Sequence, residues 1–111
     1  MLNSKNRKMI IYISTPITGI DQDTINMRIT SAVNAIKKRG HTPVSPLDLF
    51  QDENLTYGQY IGKDIEVLID QCDAVLFTPG YRTSRGCMIE LYVAGVTDKK
   101  TYYDPEQIPQ N

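Results

Sequence analysis

Short β-rich apolar runs alternate with stretches of helical period along nearly the whole chain, and this alternation limits the possible folds more than any other feature. Met9 to Ser14 is a compact apolar run of the kind found in strands covered on both faces. Ile25, Ile29, Ala32, Val33 and Ile36 then recur at helical spacing, starting near an Asp23 N-cap. Lys37, Lys38 and Arg39 suit the negative end of that helix's dipole, and Gly40 is its expected terminator. Thr42 to Ser45 reads as a short strand, placed near an edge by Pro43. Pro46 to Asn54 reads as a loop, with one helical turn as the alternative. A second helix is expected from Tyr57 to Gln71, capped by Thr56, with Ile61, Ile65, Leu68 and Ile69 as its apolar stripe. Asp73 to Thr78 is the most buried-looking strand. A loop from Pro79 to Thr83 leads to Ser84 as the cap of a third helix, which ends near Val96. Lys100 to Tyr103 is a last short strand, and the tail from Asp104 to Asn111, with two prolines, is expected to pack little.

Strands alternating with helices, joined by right-handed crossovers, give an α/β fold. The expectation is a small doubly wound, flavodoxin- or Rossmann-like parallel sheet of four to five strands flanked by helices, with residues 1–111 as one domain. Ligands of such sheets sit beyond the carboxyl ends of the strands, at the switch point in strand order. Two loops open there, Ser14 to Gly19 and Pro79 to Ser84.

The 111 residues are 41% hydrophobic and 23% charged, which fits a folded globular chain rather than a disordered one. A formal net charge of -1 gives no electrostatic case for nucleic acid or an anionic membrane as partner. No apolar run approaches the roughly 18 residues that span a bilayer. The apolar part behind the basic residues of the N-terminus is too short for a secretory signal, so a cytoplasmic location is expected. Cys72 and Cys87 are too few and too far apart for a disulfide framework or a metal motif. His41, the single histidine, is expected to be structural or at the surface, and no metal or other cofactor is expected.

Against this frame one side chain is out of place. Glu90 stands in Cys87-Met-Ile-Glu-Leu-Tyr-Val-Ala, an apolar helix behind a strand-end loop, where a carboxylate is costly to desolvate. It is expected to face the crevice as a nucleophile or general base, its pKa raised by burial while nearby donors hold the charged form. Asp64 lies on the apolar ridge of the second helix, three residues after Ile61 and four before Leu68, and would meet Glu90 across the crevice. Two carboxylates in one site allow one to attack while the other carries a proton. Ser84, Arg85 and Gly86 open the third helix, where free N–H groups favour an anion or sugar hydroxyls, and Arg85 could neutralise a phosphate. Ser14 and Thr15 could add hydroxyl donors. Tyr12 fits the core, or alternatively reaches the crevice with its hydroxyl, and Tyr60 could line the same wall.

These residues resemble a known family. Ile11-Tyr-Ile-Ser-Thr-Pro-Ile-Thr-Gly19, then Asp64 with Leu68 and Cys72-Asp73, then Ser84-x-Gly86-x-x-x-Glu90 together resemble the nucleoside 2-deoxyribosyltransferase-like superfamily over Met9 to Tyr103. The likeness is closest to its small bacterial and phage branch. It implies cleavage or transfer at the N-glycosidic bond of a (deoxy)nucleoside or nucleoside 5′-monophosphate through a covalent glutamyl-sugar intermediate. Glu90 would be the nucleophile, Asp64 would protonate or hold the leaving base, and Tyr12 would orient the nucleophile. Ser84, where the transferases carry aspartate, points to a phosphorylated substrate or to hydrolysis. Met88 replaces a glycine and would crowd the sugar pocket. The resemblance also implies a homo-oligomer, a dimer or higher, through the apolar third helix. The competing readings are a nucleotide- or ADP-ribose-type binding module without turnover and a hydrolase of NAD-like dinucleotides.

Overall fold

The computed structural model describes residues 7–45 and 54–111. The expected loop at 46–53 and the basic residues before Arg7 lie outside them. In chain order the elements are β1 (Ile10–Ser14), α1 (Gln22–Lys38), β2 (Thr42–Val44), α2 (Tyr57–Gln71), β3 (Ala74–Phe77), α3 (Arg85–Val96) and β4 (Lys100–Tyr102). Single 3-10 turns follow at Tyr81–Thr83, before α3, and at Pro105–Gln107. Among the described residues four strands form one parallel sheet in the order β2-β1-β3-β4, flanked by three helices. The expected doubly wound architecture is therefore present, with four strands.

Period-two alternation divides the core into two layers. Ile11, Ile13, Ala74 and Leu76 face α1, packing with Ala32 and Ile36. Tyr12, Val75 and Phe77 face α2 and α3, packing with Leu68, Cys87 and Ala94. The next residue of Tyr12's parity on β1 is Ser14, so both hydroxyls enter the α2–α3 layer.

The ends of the helices follow from local chemistry. Asp21, not Asp23, caps α1: its carboxylate accepts from the Thr24 N–H at 3.0 Å and the Thr24 hydroxyl at 2.8 Å. This i to i+3 reach suits the cap, and Asp23 instead lends its charge to the first turn. At the other end Gly40, at φ 85°, donates to the Lys37 carbonyl and His41 donates to that of Ile36, the paired bonds of a Schellman closure. Thr56 and Gln59 form a reciprocal capping box on α2. The buried residues of α2 are Val67 and Leu68, while Ile69, expected in the stripe, is exposed. α3 is apolar nearly all round: it buries Cys87, Glu90 and Ala94 and leaves Ile89, Tyr92 and Val96 exposed.

Edge strand β2 carries Pro43 without loss to the sheet. The Thr42 N–H turns inward to the Met9 carbonyl at 2.9 Å, so the alternate position, Pro43, faces outward.

The tail departs from expectation. Ile108 is buried in the α1-side core, and the segment seals the end of α1. Arg39 Nε donates to the Pro105 carbonyl at 2.8 Å, and the Asn111 N–H donates to that of Arg39 at 2.9 Å. His41 is buried and structural: Nδ1 accepts from the Met9 N–H at 3.0 Å, which leaves Nε2–H to donate to the Pro109 carbonyl at 2.7 Å. Ile108→Val is expected to cost about 1 kcal/mol of unfolding free energy. A urea denaturation midpoint unchanged from wild type would show that the tail adds nothing to the core.

Candidate active site

The strand order turns back between β1 and β3, and the loops that leave these two strands bound a crevice at their carboxyl ends. A hydrogen bond of 2.6 Å between the Thr15 and Thr78 hydroxyls ties the loops together. Beside it lies a cavity of about 310 Å³, bordered by Tyr12, Thr15, Ile17, Thr18, Tyr57, Tyr60, Ile61, Asp64, Ser84, Gly86 and Glu90. Tyr57, Tyr60, Ile61 and Asp64 recur on one side of α2 over two turns and make one wall. Gly86 faces that wall: a Cβ there would lie in ordinary van der Waals contact with it, 3.6 Å from the Tyr57 hydroxyl and 3.5 Å from Ile61 Cδ1.

Glu90 is only 5% exposed, and both its carboxylate oxygens are held. Oε2 accepts a hydrogen bond from the Tyr12 hydroxyl, and Oε1 accepts one from Ser14 Oγ at 2.6 Å. Burial pushes the Glu90 carboxyl up to about 7, against the pull of the Ser14 and Tyr12 donors, and the nearby Asp64 adds to the rise. Asp64 is less buried, and desolvation lifts it to about 6, opposed by the Tyr12 hydroxyl. Its Oδ1 is shielded from solvent and accepts no hydrogen bond. Burial, together with the two carboxylates, keeps Tyr12 protonated far above its usual range, so it serves as a donor.

The structure thus brings Glu90, Asp64 and Tyr12 to one cavity, with Thr15, Ser84 and Gly86 on its border. Ser14 is fully buried and does not border it. Ser84 caps α3 by accepting from the Cys87 N–H at 3.2 Å. Arg85 is exposed and faces an adjoining hollow of about 420 Å³, which shares Thr18, Tyr57, Ser84 and Gly86 with the cavity. Met88 does not border the cavity as expected. It packs against the α2–α3 core, because α3 turns it away from Glu90. Tyr57 and Ile61 are not expected from the sequence as lining residues, whereas Ile17 and Thr18 lie in the loop expected to open there. The spacing from Tyr57 through Ile61 to Asp64 was the available signal for the first two. Among the described residues no His, Cys, Asp and Glu side chains cluster as they would to hold a metal, and no helix is long and apolar enough to cross a membrane.

The family model described as "Domain of unknown function (DUF4406)" matches residues 9–103. No curated protein sequence matches the chain. Among solved structures, the 2-deoxyribosyltransferase of the psychrotolerant bacterium Bacillus psychrosaccharolyticus is similar to it, with a TM-score of 0.61 at 20% identity, covering 83% of this chain and 69% of that one. The likeness read from three sequence motifs is thereby borne out at the level of fold.

Proposed function

From the premise that this chain belongs to the DUF4406 domain family and has the fold of a 2-deoxyribosyltransferase, we propose that it breaks or exchanges the N-glycosidic bond of a nucleoside or nucleoside 5′-monophosphate. The observation that carries this reading is a buried glutamate with both oxygens held by donors, sharing a cavity with a second carboxylate whose Oδ1 accepts no hydrogen bond.

A Glu90 oxygen attacks the anomeric carbon. The bond to the base breaks, the base leaves with the electron pair, and it takes a proton from Asp64. A glutamyl-sugar ester forms. Water or a second base then attacks the same carbon from the vacated side and gives its proton to Asp64, and Glu90 is released with overall retention. The chemistry needs Glu90 charged and Asp64 protonated. With the carboxyls raised to about 7 and about 6, the free site retains one proton on the pair into the neutral range. The reactive arrangement is a tautomer of the same charge state. A base nitrogen set against the unpartnered Asp64 Oδ1 favours it, and the Tyr12 and Ser14 donors stabilise the charge left on Glu90.

The adjoining hollow at the start of α3 supports a 5′-phosphate on the substrate. Arg85 is the cation bordering it, and Ser84, which bridges both spaces, stands where the transferases carry an acid. Incubation of the folded protein with ribo- and deoxynucleosides, their 5′-monophosphates and NAD, with and without an acceptor base, tests the proposal. Release or exchange of base from at least one deoxynucleoside or deoxynucleotide is expected. Tight binding in calorimetry with every ligand recovered intact would overturn it in favour of a binding module.

A further inference from the structure

Tyr12 and Ser14 sit two residues apart on β1 and reach the same carboxylate, but at different oxygens. Tyr12 borders the cavity, whereas Ser14 has no exposed surface and does not. Its hydroxyl has one proton, and that proton is committed to Glu90 Oε1 at 2.6 Å. A ligand in the cavity therefore meets Glu90 and Tyr12 but not Ser14. A strand position next to a crevice more readily carries an apolar residue when it is fully buried, as Ile11 and Ile13 do on the opposite face.

We propose that Ser14 is a positioning residue. It anchors Glu90 from behind, fixes the rotation of the carboxylate, and holds it in the charged form without touching substrate. The catalytic meaning of this anchor rests on the nucleophile reading above; the anchor itself does not. A carboxylate bound at one oxygen only can turn about its last bond, whereas two donors on two different oxygens hold one plane. The donor from β1 also offsets part of the desolvation that otherwise favours protonation. The other titratable groups around Glu90 are Tyr12 on β1, Asp64 on α2 and Cys87 one turn earlier on α3. Tyr12 alone among them donates to Glu90, and Asp64 opposes its charge.

The test is a carbon-13 NMR titration of the glutamate side-chain carboxyls in wild type and Ser14→Ala, with the Glu90 signal identified by its loss in Glu90→Gln. The Glu90 midpoint is expected to rise by about one pH unit or more in Ser14→Ala, a tenfold gain in proton affinity. Ser14→Cys, whose weaker S–H donor fills nearly the same space, is expected to shift it less in the same direction, and it carries the test if Ser14→Ala does not fold. A midpoint unchanged from wild type in a folded variant would overturn the proposal. This readout needs no turnover. If the midpoint moves but no substrate reacts, the anchor stands and the glycosidic reading falls. Where turnover is found, the alkaline limb of the Ser14→Ala pH-rate profile should move up with the midpoint, because the pair keeps its last proton longer, and the plateau should fall because Asp64 holds that proton less often, with KM little changed. A loss of rate at all pH values without that displacement would mark Ser14 as merely structural.

Discussion

Glu90→Gln is expected to lower release of base by about a thousandfold or more while leaving the fold intact. The amide nearly matches the carboxyl in shape: its oxygen can accept from one of the two hydroxyls that hold the native side chain, and its NH2 donates to the oxygen of the other. It cannot form the ester. In Glu90→Ala the cavity of about 310 Å³ is enlarged where the nucleophile stood, and added azide should restore turnover. That azide would attack from the vacated face and give a glycosyl azide of inverted configuration, as expected when one of two displacements is removed. Assay of base release together with the anomeric form of the product checks both outcomes. A Glu90→Gln protein as active as wild type would remove the nucleophile and with it the mechanism.

The same side chain should make the protein less stable as pH rises. Burial raises the Glu90 carboxyl to about 7 in the folded chain, against an ordinary 4.5. Between those values the folded chain retains a proton that the unfolded chain has released, so stability falls with rising pH across this window and levels off above it. The gap corresponds to about 3 kcal/mol for a group this buried. Asp64, raised from 3.8 to about 6, acts with the same sign between those limits, more weakly because it is partly solvated. Glu90→Gln has no charge to desolvate, so it should flatten most of the slope and be the more stable protein at pH 8. Urea midpoints of both proteins at pH 5 and pH 8 measure this. An equal fall in the two would mean that the buried carboxyl does not set the dependence.

These two consequences oppose each other. The charge that serves the chemistry destabilises the folded state near neutral pH, as is common where a site places a charged group in an apolar setting.

The architecture was legible because each strand and helix carries its own period. The caps Thr56 and Ser84 and the terminator Gly40 each act through a bond to a residue only a few positions away. Asp21 was missed because two acids flank the start of α1, and only the geometry of Thr24 chooses between them. On α2, Val67 and Ile69 flank Leu68 on either side, and the packing of α3, not the local pattern, decides which is covered. Ile108 is a lone aliphatic residue between Gln107 and Pro109 and gives no periodic signal. For the candidate site, the anomaly of Glu90 in an apolar run was visible directly. Which groups reach it was not, because Tyr12 and Ser14 lie 78 and 76 residues away in the chain. From the sequence alone Ser14 could be seen only as a hydroxyl at a strand end, and such hydroxyls commonly meet ligand.

Pro43 has a role that concerns neighbouring molecules rather than this one. The rim of a sheet exposes unpaired amide hydrogens and carbonyls that can recruit a strand from another molecule and begin a growing stack. On β2 the middle residue of three has no hydrogen to offer outward, so an arriving strand finds acceptors without the alternating donor that would lock its register. Among the described residues this border is a poorer template for a second copy's strand than an edge with every amide hydrogen in place.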